Sequence, residues 1–232
     1  MKLALEGQQQ EHYRRHGALE VEGLVTQRQV QELNSAIATA LSRRLALAAD
    51  AVEQQPEAAL FMAGRDLWRD SEAMRKFICS PRLAHIAHEL TNAKALRVGC
   101  DQLFECTTQA SLVAREDPQF SKLLEKPRAL DEVLCVQGIV TGILIRLSPA
   151  EGPSLPHIPQ QSGNVVFLSP QVLFNIESLY RNKGQRFLLI VYAEERAQYV
   201  LRDIDPHTHA LKKIGYGFGD RLNQQNNPLV FR

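Results

Sequence analysis

The chain has 232 residues, with 27 Lys and Arg against 26 Asp and Glu, a formal net charge of +1, and 44% hydrophobic residues. This length allows a full core without disulfide or metal staples, and the near-zero charge gives no footprint for nucleic acid or an anionic membrane. The longest apolar runs, such as Phe187 to Ala193, fall far short of the ~18 residues that a membrane helix requires.

Residues 1–7 are too short and too soon acidic for a secretory signal, so the expected compartment is the cytoplasm. A short helix is predicted near Gln8 to Arg15, ending at Gly17. Thr26 then caps a helix with one apolar stripe, Val30, Leu33, Ile37, Leu41 and Leu45. Gln29, three residues after Thr26, completes a capping box. A further helix is expected over Ser71 to Ile78. Another starts at Ser80-Pro81, where proline at the first helical position loses no hydrogen bond, and buries Leu83, Ile86, Ala87 and Leu90.

From residue 95 the period drops towards two. Leu96, Val98, Cys100, Gln102 and Phe104 alternate along one strand, and a β-branched run between Val133 and Leu147 reads as another. Shorter strands fit Asn164 to Leu168, Arg186 to Ala193 and Gln198 to Arg202, with polar connections at Thr107 to Leu130 and around Pro149 to Pro159. Helices followed by many strands define an α+β chain with helices laid on one face of an antiparallel sheet system. One domain over 1–232 is expected, with a helical flanking part at 1–94 and a β core at 95–232.

Cys79, Cys100, Cys106 and Cys135 form no C-x-x-C pair and read as reduced, buried thiols, with Cys100 and Cys106 on one strand face. His85 and His88 sit one helical turn apart but project from the polar side, which favours a solvated face over a metal site. Asp203, Asp205, His207 and His209 are the richest group of potential metal ligands, against the alternative that Asp205-Pro206 opens a surface turn. Gly215-Tyr-Gly-Phe-Gly219-Asp220 departs from the G-x-G-x-x-G phosphate cradle and reads as an aromatic-glycine turn. The arginines of the helical half form no basic stripe, so nucleic acid is not an expected partner.

Gly163-Asn-Val-Val-Phe-Leu-Ser-Pro-Gln-Val-Leu-Phe174, followed by Arg186-Phe-Leu-Leu-Ile-Val-Tyr192, resembles the phytanoyl-coenzyme A dioxygenase-like branch of the iron(II)/2-oxoglutarate-dependent oxygenases. Tyr13 to Leu24 resembles that family's opening helix and strand, and Arg82 to Leu90 with Asp101 to Phe104 its helix and first core strand. The resemblance implies a double-stranded β-helix, or jelly roll, with N-terminal helices packed against one sheet. It also implies iron held by two histidines and one carboxylate, the first two ligands arriving as H-x-D or H-x-E after the first core strand. No histidine lies between His88 and His157 in this chain, and Phe174 stands where the distal histidine belongs. His157 is bracketed by Pro156 and Pro159 and is no easy substitute.

No iron and no other cofactor is therefore expected. The resemblance leaves Arg186 in the position that clamps a dicarboxylate, either still gripping a carboxylate or kept as an ordinary strand arginine. The expected function is a catalytically degenerate module that binds a small dicarboxylate or a protein partner. The alternatives are a live oxygenase or metalloenzyme using Asp203, Asp205, His207 and His209, or a regulatory protein responding to a divalent cation.

Overall fold

The computed structural model describes residues 7–107, 117–149 and 153–232. Eight α-helices and six strands are defined among them. In chain order they are α1 (Gly7–His16), β1 (Ala18–Val21), α2 (Gln27–Leu45), α3 (Ala49–Val52), α4 (Glu57–Ala63), α5 (Glu72–Ile78), α6 (Pro81–Thr91), β2 (Leu96–Glu105), α7 (Pro118–Leu124), α8 (Leu130–Val133), β3 (Val136–Arg146), β4 (Val165–Leu168), β5 (Arg186–Tyr199) and β6 (Leu229–Phe231). No described helix is long and apolar enough to cross a membrane.

The helices start where local chemistry directs. Thr26 accepts the Gln29 N–H while the Gln29 side chain accepts the Thr26 N–H, closing the expected capping box. The α2 stripe of Val30, Leu33, Ile37 and Leu41 is buried, and burial of each such side chain contributes about 1.5–3 kcal/mol. Ser71 caps α5 by accepting the Met74 N–H. Proline opens α6 after Ser80, although the Ser80 side chain makes no capping bond.

The six strands form one antiparallel sheet in the order β1-β4-β3-β5-β2-β6. Its two faces bury different cores. Leu188, Ile190 and Tyr192 of β5, with Ile143 and Ile145 of β3, face α2, α5 and α6. Phe187, Leu189 and Val191 of β5, with Leu144 of β3, face the opposite way. There they meet Phe61 of α4, Phe120 of α7, Leu130 of α8 and Phe174. The N-terminal helices thus cover one face, as the sequence predicts, and short helices and turns close the other.

Two expectations about the strands need correction. Leu96 to Phe104 does not keep one alternating face: a bulge between Val98 and Cys100 resets the phase. Leu96 and Val98 therefore face the helices, whereas Cys100 and Phe104 face the opposite core, which Cys106 also joins. Arg186 to Ala193 and Gln198 to Arg202 are not separate strands, because β5 runs unbroken from Arg186 to Tyr199. Its exposed Glu194, Glu195 and Arg196 look like a loop in the sequence yet sit within the strand. The polar connection Thr107 to Leu130 also carries a helix, α7. Asp117 caps α7 there through the Gln119 and Phe120 N–H groups, and residues 108–116 lie outside the described residues.

Candidate functional site

The inner face of the sheet, away from α2, α5 and α6, carries a buried polar cluster inside an otherwise apolar core. Arg65 follows α4 and pairs with Gln102 of β2 in an isolated bridge. The next residue, Asp66, turns through the left-handed region at φ 56°. Arg65 Nε donates to Gln102 Oε1 at 2.9 Å, Nη1 to Cys100 Sγ at 3.2 Å and Nη2 to Asp205 Oδ1 at 3.1 Å. Asp205 also accepts the Cys135 N–H at 3.0 Å and the His207 N–H at 2.9 Å. Gln102 Nε2 donates to the Phe61 and Leu103 carbonyls, which fixes its amide orientation.

The electrostatics follow from burial. Desolvation alone would lower the Arg65 pKa, but the neighbouring Asp205 carboxylate leaves it above the usual guanidinium range. Burial, and then the Arg65 charge, push His207 down to about 3, so its ring is neutral. The His207 Nε2 lies 3.3 Å from the Phe61 carbonyl. Burial pushes the Cys100 thiol up to about 12, which keeps it protonated.

Phe174 is 2% exposed and lies in this core, its backbone paired both ways with Arg128 at 3.1 Å. Beside it is a void of about 20 Å³, bordered by Phe61, Phe104, Leu130 and Phe174 and by the polar Arg65 and Asp205. That is space for about one water molecule.

The expected ligand group is dispersed. Asp203 and His209 are exposed, whereas Asp205 and His207 are buried on protein partners. Among the described residues no three His, Cys, Asp or Glu side chains gather into a group able to hold a metal. The expected surface turn is half right, since Asp205 turns inward. His85 lies 3.4 Å from Glu89 on the polar side of α6, but His88 is half-buried, stacked on Phe231 at 4.3 Å. The glycine-aromatic segment is a turn: Gly215 and Gly219 have φ of 94° and 92°, and Asp220 accepts the Gly217 N–H at 2.7 Å. His157 stands in its loop at φ 63°, and burial lowers its pKa.

Arg186 opens β5 opposite Glu105 of β2 and is directed to the helix-covered side. Its guanidinium bonds to the Glu105 carboxylate and, at 3.1 Å, to Asn34 Oδ1 of α2. Phe187, the next residue, is the one that faces the inner core. Asn164 holds the β1–α2 connection by donating to Glu20 at 2.8 Å and accepting the Gly23 N–H at 3.0 Å.

Sequence reasoning missed Arg65 and its link to Asp205. One signal was available. Gln102 sits in an apolar phase of a strand, where a buried amide needs partners.

The fold is that of the non-heme α-ketoglutarate-dependent enzymes. SnoK, a carbocyclase of that type from nogalamycin biosynthesis, superposes with a TM-score of 0.67 at 16% identity, over 97% of this chain and 96% of SnoK. The epimerase SnoN, from the same biosynthesis, gives 0.62 at 17% identity over 97% of this chain and 95% of SnoN. CT296 from Chlamydia trachomatis gives 0.50 at 14% identity over 84% of this chain and 99% of CT296. No protein-family model and no curated protein matches the sequence.

Proposed function

We propose that this chain is a jelly-roll protein of the phytanoyl-coenzyme A dioxygenase-like branch whose iron pocket has become packed core, and that it works as a binding module. The observation that carries this reading is Phe174, buried beside a void of about 20 Å³ in the position the resemblance assigns to the distal histidine. A phenyl ring has no lone pair for a metal, and the void has no room for a metal with a bidentate organic acid.

The residues present do not fit an iron(II) ion. Asp205, the carboxylate nearest that space, is already neutralised by Arg65 and accepts two backbone N–H groups. His207, the buried imidazole of the same segment, faces the Phe61 carbonyl. The H-x-D position after β2 has no histidine in the sequence. No reaction step is therefore assigned to a metal here.

A dicarboxylate remains a ligand to consider, because SnoN has been solved with Fe3+ and α-ketoglutarate. On this reading the carboxylate gripped by Arg186 is Glu105 from within the chain, and an external dicarboxylate would have to displace it. Equilibrium dialysis against iron(II) under argon tests the reading. No saturable site is expected, and one iron bound per chain would overturn it.

A further inference from the structure

We propose that residues 203–209 form a self-inhibitory strap, and that its Asp205 side chain occupies a site for a small aliphatic monocarboxylate, which takes its place beside Arg65 when the strap lifts. This rests on the reading of the inner pocket as iron-free and names its ligand class.

The carboxylate of Asp205 is received like a ligand. Arg65 donates to Oδ1 at 3.1 Å from a position 140 residues away, and the Cys135 N–H donates to Oδ2 at 3.0 Å from 70 residues away. These two donors lie outside the strap, Arg65 just after α4 and Cys135 just before β3. Gln102 and Cys100 hold the other guanidinium nitrogens, so one face of Arg65 is aimed at the carboxylate. The CH2–COO group of Asp205 has the shape of acetate. Its surroundings continue into the void of about 20 Å³, where Phe104, Leu130, Phe174 and Ile176 line the wall. An apolar wall accepts a short alkyl tail and penalises a second charge, which excludes a dicarboxylate from this particular site.

The strap itself is placed to move. It begins beside exposed Leu201, Asp203 and His209 are exposed, and only its middle turns inward. Further contacts fasten it: the Tyr199 hydroxyl donates to the Thr208 carbonyl, the Arg202 N–H to the Thr208 hydroxyl at 2.9 Å and the Cys135 thiol to the His207 carbonyl at 3.8 Å, and His207 meets the Phe61 carbonyl at 3.3 Å.

The test uses metal-free full-length protein and the variants Asp205→Gly and Asp205→Ala. Removing the carboxylate leaves the Arg65 charge buried without its anion, so Tm should fall by roughly 10 °C. Acetate should recover at least half of that loss in Asp205→Gly, and formate in Asp205→Ala, while acetamide and matched chloride recover nothing. Adding Arg65→Met should abolish the recovery. In the wild type, butyrate should speed hydrogen exchange across 203–209 and leave the centre of β3 unchanged. The proposal falls if carboxylates do no better than chloride in the variants, or if recovery survives the loss of Arg65. It also falls if butyrate leaves exchange in the strap unchanged, and that measurement decides the matter if neither variant folds. Iron is titrated into the same samples, so a failed rescue without iron binding removes the strap alone, whereas tight iron binding removes the iron-free reading.

Discussion

Arg186 and Glu105 stand opposite each other in register on β5 and β2, and their side chains form an ion pair on the helix-covered side of the sheet. The arginine that the family resemblance marks for an external carboxylate therefore has one supplied by the chain itself. Glu105→Ala should destabilise the protein by about 1–3 kcal/mol, because a charged hydrogen bond is lost from a mostly buried setting. It should also free the guanidinium, so succinate should raise Tm more in Glu105→Ala than in the wild type. Differential scanning fluorimetry reads both effects. An equal succinate shift in the two proteins would mean that Glu105 does not compete for the site.

Phe174 is a buried ring of the inner core. Phe174→Ala should cost about 3–5 kcal/mol, since the ring is buried against a core that can close only partly around its loss. Phe174→His should also be less stable than the wild type, because it places two ring nitrogens in an apolar wall. On the proposed reading it should gain no iron site, since a single imidazole supplies only one of the ligands that an iron(II) centre needs. Urea denaturation together with iron titration checks this, and unchanged stability would contradict the packed-core account.

Asp101 supplies a pH dependence on the helix-covered side. Its carboxylate accepts the Leu67 and Trp68 N–H groups at 3.1 and 3.2 Å. Burial, and then the nearby Asp66 charge, push its pKa up to about 7 despite those bonds. The folded protein thus keeps a proton that the unfolded chain releases above about pH 4. The stability tied to this group is complete below that value and is lost as pH rises through 7. Asp101→Asn should flatten the fall in the urea midpoint between pH 4 and 8. An unchanged slope in the variant would assign the dependence to other groups.

Much of the helical half was legible because each signal was local. The α2 stripe, its capping box and the proline opening α6 need only neighbours three or four residues away. The errors came where distant contacts decide. Glu194 to Arg196 are exposed yet lie within β5, because Gln198 and Tyr199 pair again with Gln137 and Val136 beyond a register shift that leaves them unpaired. The bulge before Cys100 moved half of β2 to the other face, and no periodicity rule places such a bulge in advance. The inner cluster was the least visible part. Arg65, Gln102 and Asp205 come from three remote segments, and only the fold makes Asp205 the partner of Arg65 rather than a surface turn residue.

Gly163 gives the family-like motif a physical cause. It has φ of +84°, and a Cβ there would lie 2.2 Å from the Val25 carbonyl oxygen. Its own carbonyl accepts the Val25 N–H at 3.0 Å, which ties the start of β4 to the entry of α2. Gly163→Ala should destabilise by well over about 1 kcal/mol, because strain in the left-handed region adds to a clash with rigid backbone. A thermal midpoint equal to that of the wild type would show that this junction can relax.

On the packed-core reading the inner pocket supports no oxygenase turnover. Protein reconstituted anaerobically with iron(II) and 2-oxoglutarate is exposed to oxygen, and oxygen uptake is followed together with 2-oxoglutarate decarboxylation. Rates equal to those of iron and 2-oxoglutarate without protein are expected under this reading. Protein-dependent, coupled turnover that a chelator removes would contradict it.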